Sequence, residues 1–144
     1  MRLTTMTDYA MRLLMHVGRN PGRLCTIAEI AQAYAISEAH LMKVTHQLAL
    51  AGWIDTVRGK GGGMRLAHAP EAICLGQVVR SIEPDFRLVE CQGGGSECQL
   101  DGRCRLTGIL DGALRAFLAH LDRHTLADIL PSPGQAEAVM RRVS

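Results

Sequence analysis

From Cys91 to Cys104 the chain reads Cys-Gln-Gly-Gly-Gly-Ser-Glu-Cys-Gln-Leu-Asp-Gly-Arg-Cys, which puts three of its five cysteines within fourteen residues. No other stretch limits the fold as much. It is too polar and too rich in glycine to be core. Glycines at 93–95 and 102 let the backbone fold back where side chains would clash, so three sulfurs can converge on one point. Soft thiolates at one point suit zinc or iron–sulfur chemistry. The blander reading is a mobile loop with incidental thiols, but cysteines clustered in a loop point to redox or metal chemistry.

With 144 residues, the chain has room for one domain, or a small domain and an appendage. A hydrophobic share of 47% is enough for a core. No secretory leader and no apolar run long enough to span a bilayer stand in the sequence, so a cytoplasmic protein is expected. In that compartment five cysteines are poor candidates for structural disulfides. Charge is unevenly spread. Residues 1–70 carry eight Lys/Arg against four Asp/Glu, and residues 71–144 carry eight against ten. A basic front half joined to an acidic rear half suggests a nucleic-acid module followed by a sensing or assembly module. Aromatics make up only 3%, which argues against a base-stacking platform for single strands or RNA.

The front half is patterned as helices. Thr7-Asp8 precedes an apolar repeat at Tyr9, Ala10, Leu13, Leu14 and Val17, with a stop near Gly18. Thr26-Ile-Ala-Glu29 fits a capping box and opens a short helix to Ala33. After a turn at residues 34–36, Ser37 caps a third helix from Glu38 to about Ala51. Its apolar stripe is Leu41, Val44, Leu48 and Ala51, which leaves Lys43 and His46 facing outward with His40 and Gln47 on the flanks. Two helices and a short turn match a helix-turn-helix. A strand at residues 53–57, the tip Arg58-Gly-Lys-Gly-Gly-Gly63 and a strand at residues 64–66 add a basic hairpin, completing a winged helix. The tip lacks the order of a nucleotide-binding loop and precedes a strand, so that rival is set aside.

Beyond Ala69-Pro70 the pattern predicts a helix over residues 73–82 and then the cysteine loop. A long helix follows from Cys104, with Leu106, Leu110, Ala113, Phe117 and Leu121 in register. Ile109, Leu114 and Leu118 widen its apolar face beyond what one small domain must cover, which predicts a dimerisation helix. Residues 125–130 form a short closing helix and residues 131–144 a mobile tail. The expected fold is mainly α with a small β-hairpin: a winged helix-turn-helix over 1–70, then a cluster-binding loop and dimerisation helix over 71–130.

Four stretches carry a family resemblance: Met1-Arg2-Leu3-Thr4, Thr7-Asp8-Tyr9-Ala10, the glycine-rich wing tip, and Cys-x6-Cys-x5-Cys ahead of a long helix. Together they resemble the iron–sulfur winged-helix repressors, the family of NsrR, IscR and RirA. Arg80-Ser-Ile-Glu-Pro84, Leu88-Val-Glu-Cys91 and residues 121–130 are most similar to its NsrR-type, nitric-oxide-sensing branch. The resemblance implies a homodimeric, non-enzymatic repressor on palindromic double-stranded DNA. It also implies an iron–sulfur cluster on Cys91, Cys98 and Cys104, with nitric oxide as effector and no membrane role. IscR-type members carry a histidine ligand to a [2Fe–2S] cluster three residues after the third cysteine. Thr107 stands there, which favours the [4Fe–4S] cluster of the NsrR type, completed by Asp8 of the partner subunit. Oxygen is the harder ligand, so that corner is the easiest to displace.

Alternatives at the residues stay open. Without the resemblance, Asp8 reads more readily as a helix-terminal charge, and His16, His120 or His124 could replace it as fourth ligand. A three-Cys plus His zinc site is the chemical rival. Iron or cluster-status sensing is the rival signal, and a redox enzyme with the same cluster is the rival class. Cys25 and Cys74 lie in apolar settings and are read as core residues. On DNA, Arg58, Lys60, Gly61, Gly62 and Arg65 of the wing, with Arg12 and Thr26, are expected at the backbone. Ser37, Glu38, His40 and Lys43 are expected at base edges.

Overall fold

The computed structural model describes residues 2–94, 98–100 and 103–132. Most of the expected tail, residues 133–144, lies outside the described residues, as do Gly95 and Gly102. The elements run α1 (Thr5–Gly18), α2 (Ile27–Tyr34), α3 (Glu38–Leu50), β1 (Ile54–Val57), β2 (Gly63–Leu66), α4 (Leu75–Ile82), α5 (Arg105–Leu121) and α6 (Leu126–Ile129). Short 3-10 turns stand at Pro70–Ala72 and Glu90–Gly93.

Caps set the helix starts. The Thr26 hydroxyl accepts from the Glu29 amide at 3.2 Å, and the Glu29 carboxylate accepts from the Thr26 amide at 3.2 Å. Both orphan donors of the first turn of α2 are thereby satisfied. Ser37 accepts from the His40 amide at 3.3 Å to open α3. Between the two helices Ala35 takes φ 53°, a left-handed stop that turns the chain. Helix α1 begins earlier than its apolar repeat suggests, because Thr4 is its N-cap and accepts from the Thr7 amide.

One core gathers these elements. Leu13 and Leu14 of α1, Ile30 of α2, and Leu41, Val44 and Leu48 of α3 meet Ile54 and Met64 of the hairpin. Ile73, Val78 and Ile82 around α4, and Leu126 of α6, join the same core. Ala51, placed on the apolar stripe by its spacing, is exposed, because α3 ends at Leu50 and Ala51 only caps it. Helix α5 is the exception: it buries no residue within the protomer. At its far end, Arg80 donates two hydrogen bonds to Asp122, the C-cap of α5, at 2.5 and 2.8 Å.

In the wing, β1 and β2 pair antiparallel from Ile54 with Leu66 to Val57 with Gly63. Its glycines have a structural reason. A Cβ on Gly62 would sit 2.2 Å from the Val57 carbonyl oxygen, and one on Gly63 would sit 2.6 Å from that of Cys25. At Gly63 the wing rests directly on the strand-like residue Cys25, whose amide and carbonyl bond Met64 at 2.9 and 2.8 Å.

Candidate nucleic-acid interface and metal centre

Helix α3 buries Leu41, Val44 and Leu48 and exposes Ser37, Glu38, His40 and Lys43. This is the division its spacing predicts. The spacing missed Met42, an apolar side chain that is 62% exposed on the outer face of α3. A groove of about 560 Å³ separates α3 from the wing. Thr26, Met42 and His46 line one side of it and Arg58 and Gly62 the other. Lys60 and Arg65 are exposed on the wing, and Arg65 lies 3.8 Å from Asp55 across the hairpin. The Thr26 hydroxyl is engaged in its capping box, so it faces the groove as a fixed group. Arg12 instead pairs with Asp8 one turn away, at 3.0 Å.

The cysteine loop is built from α4 outward. Glu83, at the end of α4, is buried and accepts from the Thr4 amide, the Thr4 hydroxyl and the Thr7 hydroxyl at 3.1, 3.0 and 2.5 Å. The chain then leads to the turn that holds Cys91. Gln92 pins that turn: its oxygen accepts from the Leu88 and Val89 amides, and its amide donates to Asp111 of α5 at 2.7 Å. The Cys91 sulfur comes to 3.7 Å from the Thr107 hydroxyl. Cys104 is the N-cap of α5. Hydrogen bonds from the Thr107 and Leu106 amides hold its thiol below the ordinary cysteine range. Such a helix terminus favours the thiolate, the form that ligates metal. Thr107 is thus the shared neighbour of two of the three loop cysteines. Cys98 is exposed, and no disulfide joins any of the five cysteines.

Thiolates on Cys91, Cys98 and Cys104 would suit an iron–sulfur cluster, which spreads its thiolates over several irons, and would also suit zinc. The histidines offered as substitutes for Asp8 are not nearby. His120 stands sixteen residues along the helix from Cys104, roughly 24 Å, and packs against His124 with the rings tilted by 58°. His16 bonds Glu29 at 3.0 Å.

Residues 3–132 match the family model described as Rrf2, iron-dependent transcriptional regulator. The chain belongs to the Rrf2 family. It is 46% identical over 132 residues to the HTH-type transcriptional regulator NsrR of Bacillus licheniformis, covering 90% of this chain and 92% of that one. The NsrR of Bacillus subtilis is 45% identical over 132 residues, covering 90% of each. Among solved structures, CymR, the global cysteine regulator of B. subtilis, superposes with a TM-score of 0.72 at 24% identity. That match covers 90% of this chain and 95% of CymR and shows the shared fold. The chain is therefore an NsrR-type Rrf2 transcriptional regulator with a winged helix-turn-helix, and its relatives are regulators rather than enzymes. Among the described residues, no helix is long and apolar enough to cross a membrane.

Proposed function

We propose that this chain is a homodimeric, cytoplasmic repressor whose grip on palindromic promoter DNA depends on an iron–sulfur cluster that senses nitric oxide. Residues 1–70 read DNA, and residues 71–130 hold the cluster and the second subunit. The observation that carries this is the convergence of Cys91 and Cys104 on Thr107, at the first turn of a helix with no buried residue of its own. Cys98 is the third ligand and Asp8 of the partner subunit the fourth, with [4Fe–4S] favoured over [2Fe–2S]. Bound there, the cluster supplies iron that nitric oxide attacks. The exposed Leu106, Ile109 and Phe117 of α5 suit a matching helix from the partner.

On DNA, Ser37, Glu38, His40 and Lys43 face base edges in the major groove, and Met42 beside them suits a thymine methyl group. Arg58, Lys60, Gly61, Gly62 and Arg65 follow the adjacent backbone, with Arg12 and Thr26 at flanking phosphates. A symmetric dimer sets the two half-sites about one helical turn apart.

The test is an anaerobic titration of the purified protein with nitric oxide while DNA mobility is followed. Release of promoter DNA is expected. Unchanged DNA binding would overturn the nitric-oxide reading. The description of the family as iron-dependent favours a second signal, iron or cluster status. In that case an iron chelator, and not nitric oxide, would release the DNA. A colourless protein with stoichiometric zinc that persists on the Cys91, Cys98 and Cys104 thiols would replace the cluster by a zinc centre.

A further inference from the structure

Away from the cysteine loop, the structure gathers a second set of metal-ligating side chains. The Nε2 of His16, the Sγ of Cys25 and a carboxylate oxygen of Glu29 lie within 4.8 Å of one another, the one such group among the described residues. We propose that these three side chains form a divalent-cation site of the zinc class in the DNA-binding unit, independent of the cluster.

The three ligands come from three fixed elements. His16 is in the last turn of α1 and Glu29 is in the first turn of α2. Cys25 lies between them, fully buried and locked by both of its backbone hydrogen bonds to Met64 of the wing. The two Glu29 oxygens have separate duties. Oε2 is held by the Thr26 amide and by Arg23, which fixes the carboxylate's direction. Oε1 faces His16 Nε2 at 3.0 Å and Arg23 at 2.8 Å. A cation entering between His16 and Oε1 would displace that one Arg23 contact and leave the Oε2 contacts in place. Asn20 donates to the His16 carbonyl at 2.8 Å and steadies the end of α1. Such outer partners orient the ligands and tune the site.

The donor chemistry selects the ion. One imidazole, one cysteine sulfur that gives up its proton on binding, and one carboxylate form the mixed set that zinc accepts in tetrahedral sites, with water as fourth ligand. His16 and Glu29 are both partly exposed, so the fourth ligand would come from solvent. Occupancy would have a mechanical result. Cys25 is bonded to β2, so a cation on its sulfur ties the wing to both α1 and the start of α2. Wing position on DNA would then depend on zinc as well as on the cluster.

The experiment uses the full chain with Cys91, Cys98 and Cys104 all changed to serine, which removes the cluster thiols as competitors. Bound zinc is measured after dialysis, and the spectrum is recorded with cobalt in place of zinc. The expected result is one zinc per chain and a tetrahedral cobalt spectrum with a sulfur-to-cobalt band. Both are expected to vanish in Cys25→Ser. Should Cys25→Ser fail to fold, His16→Gln, on the partly exposed end of α1, provides the same test. Zinc should also slow amide exchange at Cys25 and Met64, and should do so only when His16 is present. No bound zinc, zinc retained in His16→Gln, or no change at Met64 would overturn the proposal.

Discussion

Glu29 carries more interactions than its place at a helix start requires. Its side chain accepts from the Thr26 amide to cap α2, accepts from His16 and pairs with Arg23. The Arg23 hydrogen bond is the largest reason its carboxyl falls from an ordinary 4.5 to about 2; burial opposes it, and His16 and the Thr26 amide add to it. A carboxyl more acidic in the folded chain stabilises the fold at pH values above its unfolded value, and that contribution is lost as pH falls through the folded value. Urea melts between pH 6 and 2 should therefore show the wild type losing stability relative to Glu29→Gln below about 4.5. Parallel profiles would remove Arg23 and His16 from this role. A second residue-scale prediction concerns the wing. Lys60 is exposed at the hairpin tip, so Lys60→Ala should weaken binding to promoter and random DNA alike. Each lost phosphate contact should flatten the salt slope by about 0.9. Gel mobility over a series of salt concentrations measures both, and an unchanged slope would take Lys60 off the backbone.

At the scale of elements, local signals and distant ones had different fates. The Thr26 capping box, the Ser37 cap and the stripe of α3 lie within a few neighbours of themselves, so they were legible in the sequence and the structure repeats them, Ala51 of the stripe excepted. The start of α1 was not legible, because its Thr4 cap is fixed by Glu83, 79 residues away. Nor did spacing show Ile73, Val78, Ile82 and Leu126 packing into the same core as the helix-turn-helix, since which helix meets which is decided by three-dimensional packing. The clustering of cysteines was plain, but the place of Thr107 beside both Cys91 and Cys104 depends on how the turn at Glu90–Gly93 packs on α5. The breadth of the α5 apolar face was also visible, and the structure leaves part of that face uncovered: Ile109 is 68% exposed and Leu106 56%, while Leu110, Leu114, Leu118 and Leu121 are half-buried. If a second copy covers it, Ile109→Glu places a charge at the centre of the contact and should shift the protein from dimer to monomer in sedimentation, with circular dichroism unchanged. A dimer that survives this change would place the interface elsewhere.

At the scale of the whole molecule, the proposed function requires that an event in the cysteine loop reach the recognition helix of each subunit. The covalent route from Cys91 back to Glu83 is short, and Glu83 grips Thr4 and Thr7 at the head of α1. Helix α1 packs on α3, so the carboxylate links the cysteine loop to the helix that reads DNA. Asp8 lies one residue beyond Thr7, so the same stretch that Glu83 holds would also offer the fourth ligand to the opposite subunit. Glu83→Gln keeps the shape of the side chain but leaves one acceptor oxygen for three donors. Dimerisation and cluster content should survive, while the ratio of DNA affinities before and after nitric oxide shrinks by about 2- to 30-fold, the range found for residues that carry coupling between sites. That ratio, measured on anaerobically loaded protein with the iron content of both forms matched, separates coupling from cluster loss. If Glu83→Gln responds to nitric oxide as the wild type does, the signal travels by another route, with the pair Gln92 and Asp111 into α5 the next to test.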